Sequence, residues 1–192
     1  MKLEKKKIGI CIPEIPKNSK KILDLIKDLI KRNNIVIGIV DFSVSIYDNI
    51  NYKNFIQRLE NITSNKVITN FNMAESIGKK DYFDILLIVP CTENVIPKLS
   101  YNIYDRTTTR LVKYQLINNK PIVLGIFANN GLSCNAENIG KLLNKKNYYF
   151  IPFKQYAPIT KPYFIFFDYS YTIKTLEYAL IKKQIQPILL SI

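Results

Sequence analysis

Two hydrophobic periods alternate along the chain. Short, almost wholly apolar runs occur at Lys7–Ile12, Ile35–Val40, Asp84–Val89, Pro121–Phe127 and Tyr148–Ile151. Apolar runs of this length without polar alternation are typical of strands covered on both faces. Between them, apolar residues recur three and four apart. The stripes are Ile22, Leu23, Ile26, Leu29 and Ile30; Tyr52, Phe55, Ile56, Leu59 and Ile62; Ala136, Ile139, Leu142 and Leu143; and Ile173, Leu176, Leu180 and Ile181. Each stripe reads as the buried face of an amphipathic helix. Ser19 stands where the first helix needs an N-cap. Pro90 is expected to stop the Asp84–Val89 strand, and a long helix is predicted over Lys98–Ile117. A short strand at Val67–Ile68 fits the pattern. Pro152, Pro158 and Pro162 punctuate a loop, and Pro187 opens an apolar tail.

Strands alternating with helices predict an α/β fold. The expectation is one domain over residues 1–192, a three-layer α/β/α arrangement of the Rossmann-like or flavodoxin-like kind, with a parallel sheet. Ligands of such sheets bind beyond the carboxyl ends of the strands. That rule singles out the loops Pro13–Asn18, Asp41–Tyr47, Pro90–Pro97 and Ala128–Asn135.

Composition narrows the chemistry. The chain has 192 residues, 47% of them hydrophobic, enough for a sizeable core. The longest clean apolar run, Ile85–Val89, falls far short of the roughly 20 residues of a spanning helix. The lysine-rich start (Lys2, Lys5, Lys6, Lys7) is followed by an apolar stretch that ends at Pro13, too short for a signal peptide. A cytoplasmic protein with no membrane partner is expected. With no histidine in the chain, Ser-His and Cys-His catalysis are excluded. Cys11, Cys91 and Cys134 are scattered, so neither a disulfide framework nor a zinc site is expected, and no metal is assigned. The formal charge of +13 comes from lysines spread in twos and threes. They read as solvated surface, attractive to dianions, and no nucleic-acid partner is expected. No G-x-G-x-x-G follows the first strand, so NAD(P) binding by this chain has no sequence support.

Two stretches carry a resemblance to a known family. Pro90-Cys91-Thr92-Glu93-Asn94 is similar to the P-x-S/T-x-N motif of the flavin-containing cysteine decarboxylases and their relatives. Asp105, Arg110 and Pro121 fall at that family's intervals. More specifically, three segments resemble the B-subunit family of dipicolinate synthases. They are Asn129-Asn130-Gly131-Leu132 with Asn135-Ala136-Glu137-Asn138, then Asn147-Tyr148-Tyr149-Phe150-Ile151-Pro152-Phe153, then Leu176-Glu177-Tyr178-Ala179-Leu180 with Lys183-Gln184-Ile185-Gln186-Pro187. Ile62–Ile68 is similar as well.

The resemblance implies a flavoprotein-superfamily subunit taking part in the oxidation of dihydrodipicolinate to dipicolinic acid during sporulation, in the mother-cell cytoplasm. It implies an oligomer, a small dicarboxylate substrate and an A subunit or equivalent oxidoreductase that brings NADP. The chain alone is expected to be inactive. The resemblance also implies flavin mononucleotide (FMN). However, the family's glycine- and serine-rich first turn is here Pro13-Glu14-Ile15-Pro16-Lys17-Asn18, in which two prolines remove N–H donors and Glu14 adds a negative charge. Weak or no FMN retention is therefore expected. An FMN-dependent decarboxylase or prenyl-flavin-type enzyme is the alternative reading, and a non-enzymatic basic protein is a third.

Asn94 is the catalytic candidate. Thr92, Asp105, Arg110, Asn129, Asn130 and Gly131 are the candidates for cofactor binding. Each has a plainer reading. Thr92 and Asn94 can form a turn that satisfies its own backbone. Asp105 can cap a helix, and Arg110 can be a surface residue rather than a bidentate anion clamp. Asn129-Asn130-Gly131 can be a turn that exploits positive φ, and Asn135 and Asn138 can be helix caps. Cys91 is either a reactive thiol or a small buried hydrophobe. The tyrosines between Tyr163 and Tyr171 either meet a partner subunit or cover the core.

Overall fold

The strands form where the apolar runs lie, because only a doubly covered sheet buries both faces of such a segment. The computed structural model describes residues 2–16, 19–41 and 49–191. Strands β1 (Lys7–Ile12), β2 (Ile35–Val40), β3 (Ile85–Thr92), β4 (Ile122–Ala128) and β5 (Tyr148–Phe150) are parallel and lie in the order β2-β1-β3-β4-β5. All eight residues of β3 are buried. Its Leu87 sits between Ile10 of β1 and Val123 of β4. This is the flavodoxin-like order, with helices covering the sheet.

Around this sheet lie α1 (Lys20–Lys31), α2 (Asn49–Thr63), α3 (Phe71–Lys79), α4 (Ile96–Ser100), α5 (Thr107–Ile117), α6 (Ala136–Leu143) and α7 (Thr172–Leu180). α1 packs on α2, α3 on α5 and α4 on α6, while α7 lies against β3, β4 and β5. The α1 stripe buries Ile22, Leu25, Ile26 and Leu29, and Ser19 precedes it without a side-chain cap bond. Among the described residues no helix is long and apolar enough to cross a membrane.

Four features differ from the sequence reading. The sheet is mixed rather than purely parallel. β5 pairs with β4 only as far as Leu124; beyond it β7 (Ile165–Phe167) takes the same edge antiparallel at Phe127 and Ala128, and β6 (Phe153–Gln155) pairs with β7. The proline-punctuated loop is thus a small antiparallel arm. β3 does not stop at Pro90 but runs on to Thr92, with a register shift against β4 between Ile88 and Cys91 that accommodates the missing donor. The helix predicted over Lys98–Ile117 is two helices. α4 ends at Ser100 with Tyr101 as its C-cap, Asn102 takes a positive φ of 59°, and α5 starts anew after the extended Arg106. Finally, α3 has no counterpart in the sequence reading; the Asn70 side chain caps it by accepting from the Met73 N–H at 2.9 Å. At Val67–Ile68 there is a single bridge, Ile68 to Ile39 of β2.

Candidate functional site

The carboxyl ends of β1 and β3 meet through side chains nearly eighty residues apart. Glu14 lies two residues past β1. Its Oε1 accepts from Thr92 Oγ1 at 2.9 Å and from Asn94 Nδ2 at 3.0 Å. Thr92 is buried at the end of β3, whereas Asn94 is exposed in the turn that leads into α4. That turn is closed by the Val95 N–H donating to Thr92 O at 2.9 Å. The Thr92 and Asn94 side chains therefore do more than satisfy their own turn: both are aimed at one carboxylate.

Glu93 ties this turn to the loop after β4. Its Oε2 accepts from the Asn129 N–H at 3.2 Å, and its carbonyl accepts from Asn135 Nδ2 at 3.4 Å. Asn135 Nδ2 also donates to Asn130 Oδ1 at 2.8 Å, Asn138 Nδ2 donates to Asn135 Oδ1 at 3.1 Å, and Ser100 Oγ donates to Asn138 Oδ1 at 2.7 Å. This amide chain corrects the cap reading of Asn138, which is buried inside α6, and of Asn135, which precedes α6 but makes no cap bond. Gly131 is required by packing rather than by positive φ. A Cβ there would meet Ile165 Cγ1 and Cδ1 closer than 3 Å, and its φ is not in the left-handed region.

Arg110 and Asp105 do not join this group. The Arg110 guanidinium lies in the α3–α5 seam, donating to Glu75 Oε2 at 3.0 Å and stacking 4.1 Å above the Phe71 ring. With Lys79 also on it, Glu75 is held down to about 2, first by the Lys79 hydrogen bond and then by Arg110. Asp105 pairs with Lys98 Nζ at 2.5 Å, which lowers its pKa, and does not cap α5.

Sequence reasoning missed the role of Asp41, at the end of β2. It is buried, and its Oδ1 accepts from the Thr108 N–H and Oγ1, both at 2.8 Å, so it caps α5 from another element. Burial raises its pKa against those bonds. Among the described residues its Oδ2 has no partner. The predicted ligand loop Asp41–Tyr47 otherwise lies outside the described residues. Burial pushes the Cys11 and Cys91 thiols up, which agrees with small buried hydrophobes and against reactive thiols. A cavity of about 330 Å³ opens elsewhere, along α2 beside Tyr52 and Gln57, and includes none of the candidate residues.

The flavoprotein family profile matches residues 4–168, most of the chain and all of the strands described above. The chain belongs to the flavoprotein family. Within it, the chain is 34% identical to the dipicolinate synthase B subunit of Bacillus subtilis (strain 168), over 71% of this chain and 68% of that protein. The solved dipicolinate synthase B subunit of Bacillus halodurans superposes with a TM-score of 0.91 at 29% identity, covering 100% of this chain and 99% of that one. A solved FMN-dependent cysteine decarboxylase, SpaF, has a TM-score of 0.65 at 14% identity, covering 92% and 98% of the two chains, and shares the fold.

FMN carries a phosphate, and flavoprotein-family membership prompts the question of where this chain would seat one. Over its described residues, Pro13 to Pro16, the first loop offers a phosphate few backbone donors. Pro13 and Pro16 lack N–H groups, and the Glu14 carboxylate already holds the hydroxyl and amide donors at the end of β3.

Proposed function

We propose that this flavoprotein-family chain is the B subunit of a dipicolinate synthase, taking part in the oxidation of dihydrodipicolinate to dipicolinic acid during sporulation in the mother-cell cytoplasm. The observation that carries this reading is the end-to-end superposition on the Bacillus halodurans B subunit, at nearly one identical residue in three. The nucleotide-dependent step belongs to a partner, the A subunit or an equivalent oxidoreductase carrying NADP, because this chain has no dinucleotide fingerprint and no histidine. This chain completes the small-dicarboxylate site with the loops after β1, β3 and β4, which carry Thr92, Asn94, Asn129 and Asn130 and are tied together through Glu14, Glu93 and Asn135. Gly131 lets the last of these loops pack against β7. Arg110 and Asp105 support it from outside by fixing α5 and the segment before it. The protein works as a homo-oligomer.

The second reading is an FMN-dependent decarboxylase or prenyl-flavin-type enzyme of the same superfamily. Membership of the flavoprotein family and the FMN-dependent neighbour favour a flavin; Pro13, Glu14 and Pro16 oppose its retention. Purification from the native host, with an absorbance spectrum and identification of co-purifying chains, separates the two. Colourless protein that brings an NADP-dependent oxidoreductase with it is the expected result. A yellow protein with stoichiometric flavin that survives dialysis, and no such partner, favours the decarboxylase.

A further inference from the structure

The β1–β3 crevice offers two side-chain donors, the Thr92 hydroxyl and the Asn94 amide, at the place where an open α/β sheet receives a ligand. Both point at one oxygen of Glu14. A hydroxyl and an amide N–H converging on one oxygen form an oxyanion seat, and Glu14 fills it from within the chain. Pro13 and Pro16, on either side, leave the loop fewer backbone N–H groups to offer a second anion. Both bonds fall on Oε1, and Oε2 is a further acceptor that the same carboxylate brings to the crevice.

We propose that Glu14 is a resident anion that sets the ligand class of the crevice: it closes the Thr92–Asn94 donor pair to phosphate and carboxylate groups and leaves the crevice to a neutral or N–H-bearing edge. A phosphate can reach these donors only by displacing Glu14 or by lying beside a like charge a few ångströms away, and both weaken binding. The carboxylates of a dicarboxylate ligand are then turned away from Thr92 and Asn94, and its ring edge toward Glu14. This rests on reading the crevice as the ligand site. On this reading a flavoprotein-family chain keeps the fold while its first loop disfavours the phosphate of FMN.

FMN and riboflavin share a ring and differ by a phosphate, so the pair isolates the charge. The experiment is a fluorescence-quenching titration of both flavins with the purified full chain and with Glu14→Gln and Glu14→Ala. Glu14→Gln keeps an oxygen for Thr92 and Asn94 and removes only the charge, so it is expected to fold even where Glu14→Ala does not. The wild-type chain should bind FMN no better than riboflavin. Glu14→Gln should tighten FMN about tenfold or more and change riboflavin less than twofold. FMN affinity unchanged by Glu14→Gln, or both flavins gaining equally, overturns the proposal. Asn94→Leu in the Glu14→Gln background should abolish the gain; a gain that persists places the phosphate elsewhere and also overturns it. Dipicolinate formation by the wild-type chain with its partner, measured in parallel, keeps the two claims apart. Normal formation with no gain in FMN affinity rejects the role of Glu14 alone, whereas no formation by the wild-type complex rejects the dipicolinate synthase reading whatever the flavins do.

Discussion

Asn94→Asp turns a hydrogen bond into a collision of like charges. In the native chain Asn94 Nδ2 donates to Glu14 Oε1 across 3.0 Å. The aspartate keeps the size, loses the donor and sets a second carboxylate against the first. Two unit charges at that separation repel by about 1.4 kcal/mol in water and about 5.5 kcal/mol at an effective dielectric of about 20. Asn94 is exposed, so the aqueous end of that range applies. Adding a partly exposed hydrogen bond, worth about 1 kcal/mol, brings the expected loss to about 2 kcal/mol, or about 4–8 °C in Tm for a chain of this size. The loss should depend on pH. The variant's carboxyl pair holds a proton more tightly folded than unfolded, so its stability is present at low pH and is lost as pH rises through the ordinary carboxylate range near about 4. The gap to wild type should therefore be full at pH 7 and close on acidification. Asn94→Leu, which loses the bond without gaining charge, should lose about half as much and show no such closure. The assay is thermal and urea denaturation of the three proteins from neutral to acid pH. A gap below about 0.5 kcal/mol at pH 7, or one that does not change with pH, would refute the Glu14–Asn94 contact.

Leu87→Ala, in the middle of the fully buried β3, should cost about 2–5 kcal/mol in urea denaturation; a loss below about 0.5 kcal/mol would contradict a doubly covered central strand. Gly131→Ala should cost about 1–3 kcal/mol, because its Cβ meets the Ile165 side chain, and Ile165→Val in the same chain should recover part of it; no recovery would move the cause elsewhere. Because Glu75 is held at about 2, below its ordinary value, its pairing stabilises the fold above the unfolded carboxylate range and that share is lost as pH falls toward 2. Arg110→Leu should accordingly be less stable than wild type at pH 5–7 and converge with it near pH 2, and a gap constant across the titration would refute the pairing.

The parallel body of the fold was legible because its strands are continuous apolar runs; β1 and β2 fall where the pattern put them, Lys7–Ile12 and Ile35–Val40. What escaped the pattern was short or unusually placed. β6 and β7 are three residues each and too brief for a period to register. α3 carries one clear signal, Asn70 before Phe71, but its buried face is only Ala74 and Gly78, with Gly78 against the Tyr114 ring. Pro90 misled because a proline normally ends a central strand, and a bulge against β4 absorbs it here. The break between α4 and α5 was foreshadowed by Asn102 and by the threonines at Thr107–Thr109. Of the candidate site, the motif residues Thr92 and Asn94 could be picked out from the sequence, and so could the charge that Glu14 brings to the first loop. Their meeting was not, since it joins residues 14 and 92–94 through the β1–β3 register. The Asp41–Thr108 cap is a long-range contact of the same kind. Arg110 shows the converse: its spacing suggested an anion ligand, and no spacing could show that its guanidinium lies against Glu75 and Phe71.

The most direct test of the dipicolinate synthase reading is reconstitution. The purified chain, the NADP-dependent oxidoreductase that co-purifies with it, and the mixture of the two are each supplied with dihydrodipicolinate and NADP, and dipicolinate is measured over time. Dipicolinate is expected from the mixture and none from this chain alone. Sustained turnover by the isolated chain, or a partner equally active without it, would contradict a shared role in that oxidation.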